Sequence, residues 1–457
     1  MARFHWTIEN VLKNLLRVFL VLLPWQTIVM TRESFLNGVK WEYGTLGFYG
    51  SEILLWITFF VFIGWIFQKS KSRKVKGKSF FTTDRIFLFF TLLFVLWGFA
   101  SIIWAPDKDL ALQHALHIME AVILFLIVLV GPLSFRQSGY WFVLGAVPVA
   151  ILAIPQFIFQ TTWASKWLGL SSHVSWLPGA SIVSSDSIGR LLRSYGSFSH
   201  PNVFGGYMAM VFVWLIALFS IRVFGKKYKY LFQYILSTFI ILGLFLSFSR
   251  SALCASMFLL FVMILYSIYN RKGFFRSSSF WYIILLFVSL GMIFSPILET
   301  RFSVSSRSEV TSFVERTSSA AESWNMFQNN TWTGVGAGNY TLALYQKDSS
   351  RPGWEYQPVH NVGLLVGAEM GLVGLGLLSL SVLSCLVFLS SSVEKTKKKK
   401  DWLIDNMSFV FVVVMFSFFY LILAFFDHYL FSSYVGLMMT GVYWGLSCRF
   451  ILADVHR

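Results

Sequence analysis

Apolar residues run along this chain in long blocks separated by short polar or basic connections, not in the period-2 or period-3.6 alternation of half-buried elements. A helix rising about 1.5 Å per residue needs roughly 20 such residues to cross a bilayer core of about 30 Å. Twelve blocks meet that length, near 11–30, 46–67, 84–104, 113–133, 140–160, 202–222, 230–248, 251–269, 280–297, 360–390, 404–425 and 430–450. The first resembles a secretory leader, but its apolar run is long and no small-residue cleavage site follows, so it is expected to stay as an anchor. The stretch LFQYILSTFIILGLFLSFSRSALCASMFLLFVMILY would be about twice a bilayer thick as one helix. The chain must therefore reverse near SFSRSA. The pattern predicts an all-α polytopic membrane protein of about twelve transmembrane helices, with a partly helical outer loop as a cap. Four parts follow: N-terminal helices with a first outer loop (1–201), central helices carrying SFSRSA (202–297), a large outer loop (298–359) and C-terminal helices (360–457).

Composition agrees, with 56% hydrophobic and 13% charged residues and a mean hydropathy of +0.66, far from the balance of soluble domains. The net charge of +16 would suggest a nucleic-acid partner if it were spread over one surface. It is not. Alternate loops split the 37 Lys and Arg residues 25 to 12, which places the richer set and both termini in the cytoplasm. The tract Lys397 to Lys400 then reads as a solvated cytoplasmic loop, and nucleic-acid binding loses its motive. Cys254, Cys385 and Cys448 are far apart and lack metal-ligand spacing, so neither a disulfide framework nor a zinc site is expected.

The poorly basic outer side holds the candidate chemistry. His360 and Asn361 stand behind Pro358 at the mouth of a glycine-rich apolar segment, and Arg193, Arg250 and Arg316 fall on the same side by the parity of the spans. Arg250 sits between two apolar blocks, where an ionisable side chain either serves function or snorkels to the headgroups.

Four stretches, RSYGSFSHPNVFGGYMAM, LFLSFSRSALCA, RTSSAAESWNMFQNNTWTGVGAGNY and VHNVGLLVGAEMGLVGLGLL, in that order resemble the successive signatures of the O-antigen ligase and polymerase family of bacterial envelope glycosyltransferases. The resemblance implies transfer of a glycan from undecaprenyl pyrophosphate to an acceptor hydroxyl at the outer face of the cytoplasmic membrane. The acceptor is a lipid A core sugar for a ligase and the next lipid-linked repeat for a polymerase; ligase is the reading preferred here. Arg193 and Arg250 would grip the pyrophosphate, with Arg316 a third cation, because guanidinium groups bind phosphate oxygens bidentately and stay charged. His360 would orient or deprotonate the acceptor, since imidazole titrates near neutrality. Asn361 would fix the helix mouth or the donor, and His200 and Asn202 of the SHPN stretch would contact substrate. No cofactor and no metal is called for.

Other features have plainer readings. HALHIME puts His114, His117 and Glu120 on one helical face, formally a ligand set, but a polar patch at a helix end suffices. GVGAGN lacks the rest of a nucleotide fingerprint. Gly363, Gly367 and Gly371 suit close helix packing, and Glu369 reads as a buried hydrogen-bond partner. Asp427 and His428 in DHYLF fall where they could line the site. A secondary transporter or lipid-linked glycan flippase shares the span count, but such carriers tend to show internal repeats and midplane sites, and neither is visible in this sequence.

Overall fold

In the computed structural model, residues 7–72, 83–177, 179–185, 188–220, 229–269, 277–303, 307–396 and 417–455 are described. The fold is mostly helical. Its long helices are α1 (Ile8–Leu22), α2 (Gly50–Ser72), α3 (Thr83–Ala100), α4 (Lys108–Val130), α5 (Phe135–Phe159), α6 (Pro201–Ser220), α7 (Lys229–Leu246), α8 (Arg250–Tyr269) and α9 (Ser278–Ile293). They are followed by α10 (Ser295–Phe302), α11 (Arg307–Asn329), α12 (Tyr340–Lys347), α13 (Val362–Thr396), α14 (Ser417–Phe426), α15 (Tyr429–Ser432) and α16 (Tyr434–Val455). Four two-stranded antiparallel pairs lie in the connections: β1 (Ile28–Arg32) with β4 (Leu46–Tyr49), β2 (Phe35–Leu36) with β3 (Val39–Lys40), β5 (Thr161–Thr162) with β6 (His173–Val174), and β7 (Ile182–Ser185) with β8 (Gly189–Leu192).

α6 forms the axis. Pro201 starts it where a missing N–H costs nothing, and every residue from Asn202 to Phe219 is buried, among α5, α7, α8 and α16. Gly205 and Gly206 allow the closest approaches. A Cβ on Gly205 would lie 2.6 Å from Ser247 Oγ, and one on Gly206 would lie 1.7 Å from Tyr429 Oη. Around this axis α4 packs on α16, α3 on α13, and α1 between α2 and α5. The connections gather at one end of the bundle: Arg32 bonds Asp107 (2.8 Å), Thr27 donates to Trp167 O (2.6 Å), and Asn37 donates to Ser349 O and Arg351 O. Cys385 and Cys448 touch as buried thiols, 3.6 Å apart.

The twelve-span expectation is not reproduced among the described residues. Six helices are long and apolar enough to cross a membrane, and a seventh span results if α9 and α10, bent by 77°, count together. Leu231–Leu246, Arg250–Leu265 and Ser417–Phe426 are apolar but shorter. The reason is that an apolar run can be used in several ways. Block 11–30 gives a helix to Leu22, a stop at Pro24 and then strand β1, and block 280–297 bends at Phe294 ahead of Pro296. Most of block 404–425, with Lys397 to Lys400, lies outside the described residues. The reversal near SFSRSA is present: α7 ends at Leu246, Phe248 takes φ 44°, and α8 begins at Arg250.

Candidate functional site

His360 precedes α13 instead of lying in its first turn. Asn361 is the cap: its Oδ1 accepts from Leu364 N–H (2.8 Å), and its Nδ2 donates to Phe425 O (3.0 Å), joining the start of α13 to the end of α14. That joint sets His360 Nδ1 3.3 Å from Asp427 Oδ1. Asp427 Oδ1 also accepts from the His428 backbone N–H (2.9 Å), and Oδ2 accepts from Asn202 Nδ2 (2.9 Å). Asn202 Oδ1 in turn accepts from Arg193 Nη2 (2.6 Å), and Arg193 Nε donates to Ser247 O (2.9 Å) in the SFSRSA reversal.

The direction of every bond in this chain is forced. Guanidinium has donors only, so Asn202 must turn its carbonyl to Arg193 and its amide N–H to Asp427. An ionised carboxylate only accepts, so His360 presents Nδ1–H to Asp427. Its Nε2 is then left with the lone pair of a base. Burial raises the Asp427 carboxyl, but the His360 hydrogen bond, and the charge that His360, His428 and His200 take on once acid protonates them, outweigh it and hold the group well below the usual carboxylate range.

Neighbouring histidines are kept neutral. His428 is pushed down to about 4 by burial, which Asp427 partly offsets and His360 and Arg316 reinforce. His200 is pushed down to about 3, by burial and then by Arg193. Its Nδ1 accepts from the Asn202 backbone N–H (3.1 Å), so Nε2 carries the proton toward Ser181 Oγ (2.8 Å). His200 therefore shapes the start of α6.

These groups face a cavity of about 690 Å³ lined by His200, Asn202, His360, Asp427 and His428, together with Lys40, Trp41, Glu42 and Tyr43 and with Gly353, Trp354, Tyr356 and Gln357. Among the described residues that line it, neither Arg250 nor Arg316 is found. Arg250 opens α8 and donates from Nη2 to Ser312 Oγ of α11 (3.2 Å); Arg316, on the same α11, is felt electrostatically at His428. Arg193 is 5% exposed, with two of its donors engaged by protein acceptors. It is better placed to orient Asn202 than to be the first group a phosphate meets.

Sequence reasoning missed two contributors. Arg301, buried on α10, donates from Nε to Phe248 O (3.3 Å), so two arginines hold successive carbonyls of the reversal and a third begins the helix behind it. Its signal was a lone cation just past an apolar block. Glu42 lines the cavity; its surface is open to that cavity, but the protein atoms packed around it raise its carboxyl. It lies in a short connection with no motif, so nothing in the sequence marked it.

GVGAGN is a structural device. Gly334, Gly336 and Gly338 take positive φ, and the loop docks on α13 through Gly338 N–H to Glu369 Oε2 (2.9 Å) and Gly336 N–H to Glu369 O (2.8 Å). Gly371 breaks α13 at φ 66° against Trp332 O, so it makes a kink where helix packing was expected.

Among the described residues, two groups hold potential ligand atoms within 4.8 Å of one another: His360, Asp427 and His428, and Glu52, His117 and Glu120. In the first, both carboxylate oxygens are hydrogen-bonded, and His428 Nδ1 meets Ser432 Oγ (2.6 Å). In the second, His117 Nε2 has no hydrogen-bond partner, while the Glu52 and Glu120 carboxyl groups meet each other.

Residues 235–379 match the family model described as O-antigen ligase, which agrees with the resemblance that the sequence motifs carry. No curated protein matches the chain.

Proposed function

We propose that this protein is a membrane glycosyltransferase that moves a glycan from undecaprenyl pyrophosphate to an acceptor hydroxyl at the outer face of the cytoplasmic membrane, acting as an O-antigen ligase with a lipid A core acceptor. The observation that carries the reading is the directed chain Arg193–Asn202–Asp427–His360, which ends in a basic nitrogen on the wall of the large cavity.

The acceptor hydroxyl enters the cavity and gives its proton to His360 Nε2 as its oxygen bonds to the anomeric carbon. The bond from that carbon to the pyrophosphate oxygen breaks, and its electron pair leaves with the phosphate. Asp427 stabilises the imidazolium that forms. The negative charge developing on the pyrophosphate is met by Arg250, by Arg316 on the facing helix, and by the N-terminal end of α8, whose dipole favours anions. An apolar groove of about 500 Å³ runs down the same helix past Leu253, Met257, Leu260 and Phe261 and along α9, which suits a polyprenyl tail below its phosphates. The reaction draws on no added metal: transfer is expected to proceed with magnesium and manganese withheld from the assay.

Purified protein given lipid-linked repeats alone, then with a lipid A core acceptor, tests the reading. Product only in the second tube supports a ligase. Chain growth in the first would make the enzyme a polymerase, and no transfer in either would count against an enzyme and for a lipid-linked glycan carrier.

A further inference from the structure

Away from the transfer site, three ionisable side chains meet deep between helices. Glu52 comes from the first turn of α2, and His117 and Glu120 from one face of α4. They are 5%, 7% and 1% exposed. His117 Nε2 lies 3.9 Å from Glu52 Oε2, and the ligand atoms of all three lie within 4.8 Å of one another. His117 Nε2 is buried without a hydrogen-bond partner, and the Glu52 and Glu120 carboxyl groups meet each other beside it. The HALHIME face contributes only His117 and Glu120 here. His114 turns toward Glu369, 4.0 Å away, and α2 supplies the third group.

Two carboxylates and an imidazole in a low-dielectric bundle must be neutralised, because unpaired charge there is costly. Glu52 and Glu120 lie close enough to share a proton, which relieves their repulsion but leaves one negative charge in the cluster and His117 Nε2 too far from Glu52, at 3.9 Å, to be satisfied by it. A divalent cation satisfies all three and brings the cluster to zero net charge. Metal–ligand bonds of about 2.0–2.2 Å put ligand atoms roughly 3–4.3 Å apart, so the observed spacing closes with small side-chain movements. An outer layer is already in place. Trp56 Nε1 donates to Glu120 Oε1 (2.7 Å), which leaves Oε2 to face the cluster, and the Tyr49 backbone N–H donates to Glu52 Oε2 (3.1 Å). Entry is provided by a chamber of about 180 Å³ that His117 lines and that shares Glu42, Tyr43 and Ser199 with the large cavity.

We infer that Glu52, His117 and Glu120 form a buried divalent-cation site that joins α2 to α4. One imidazole with two carboxylates favours a transition metal over magnesium or calcium, and Zn²⁺ is the ion we expect. The site is independent of the transfer chemistry, and its test does not use activity.

Wild-type protein in detergent is stripped with chelator, loaded with Zn²⁺, gel-filtered and assayed for metal by mass spectrometry. About one Zn²⁺ per chain is expected in the wild type and in Asp427→Asn, which disrupts the other trio, with at least a fivefold loss in Glu120→Gln and His117→Gln. Absence of Zn²⁺ from the wild type, its retention by both α4 variants, or its loss from Asp427→Asn alone overturns the assignment. Should the α4 variants fail to purify as monodisperse protein, the visible spectrum of cobalt-loaded wild type decides: intense ligand-field bands are expected, and the weak spectrum of the aqueous ion refutes the site. An infrared band of a protonated carboxylic acid, seen without metal uptake and lost in Glu120→Gln, would replace the cation by a shared proton.

Discussion

Replacing Asp427 by asparagine changes one buried oxygen into an amide nitrogen and should reverse the direction of the hydrogen-bond chain. Asn202 cannot turn to accommodate it, because its carbonyl is held by Arg193 Nη2 at 2.6 Å and a guanidinium offers no acceptor. The new side chain must therefore keep its carbonyl toward Asn202 Nδ2 and turn its NH₂ toward His360 and the His428 N–H. His360 can then only accept at Nδ1, its proton moves to Nε2, and the base on the cavity wall is lost. General-base assistance is typically worth about 10²–10⁴ in rate, or roughly 2.7–5.5 kcal/mol of barrier. We expect kcat for Asp427→Asn to fall by at least about 100-fold while donor binding changes little, since Arg250 and the reversal are untouched. Single-turnover transfer of a fluorescent lipid-linked glycan to acceptor, resolved on gels, gives the rate, and quenching on donor titration gives the affinity. A folded Asp427→Asn protein that transfers within threefold of the wild-type rate would refute the proposed proton path.

Lysine at position 250 keeps the charge but not the planar fork, so a pyrophosphate ligand should lose one charge-assisted bond of about 1.5–3 kcal/mol and transfer should slow about tenfold or more; near-normal transfer by Arg250→Lys would return Arg250 to a membrane-anchor role. His200 and His428 have folded pKa values of about 3 and 4, below the ordinary histidine range, so the unfolded chain binds more protons as pH falls from about 6.5. Each then removes up to about 1.4 kcal/mol of stability per pH unit until its own folded pKa is reached. Thermal unfolding in detergent should shift downward between pH 6.5 and 5, with a shallower slope for His428→Gln, and a flat profile would show that neither is held neutral. Gly206→Ala drives a methyl group into Tyr429 Oη and should cost about 1–3 kcal/mol while pulling Asn202, one turn back on α6, away from Asp427; wild-type melting and activity together would exclude that coupling.

The sequence by itself determined what kind of solvent this chain folds in. Block length, loop charge and the reversal at SFSRSA depend only on residues close together in the chain, since the cost of burying a polar backbone or a lysine in hydrocarbon is paid locally. It also marked His360, Asn361, Arg193 and Arg250, because each lies in a stretch whose local pattern is distinctive. Apolarity did not decide how each block is used: the same run can make a span, a bent pair such as α9 and α10, or a helix followed by a strand as in block 11–30. Nor could the sequence decide partnerships. Asn202 and Asp427 are 225 positions apart, Glu52 and His117 65, and Arg301 and the Phe248 carbonyl 53. Only the close approach of α6, permitted by Gly205 and Gly206, brings the SHPN turn against the α14–α15 junction and turns separate polar residues into one directed chain. A hydrogen bond is made or lost within a few tenths of an ångström, and that distance is set by packing across the bundle.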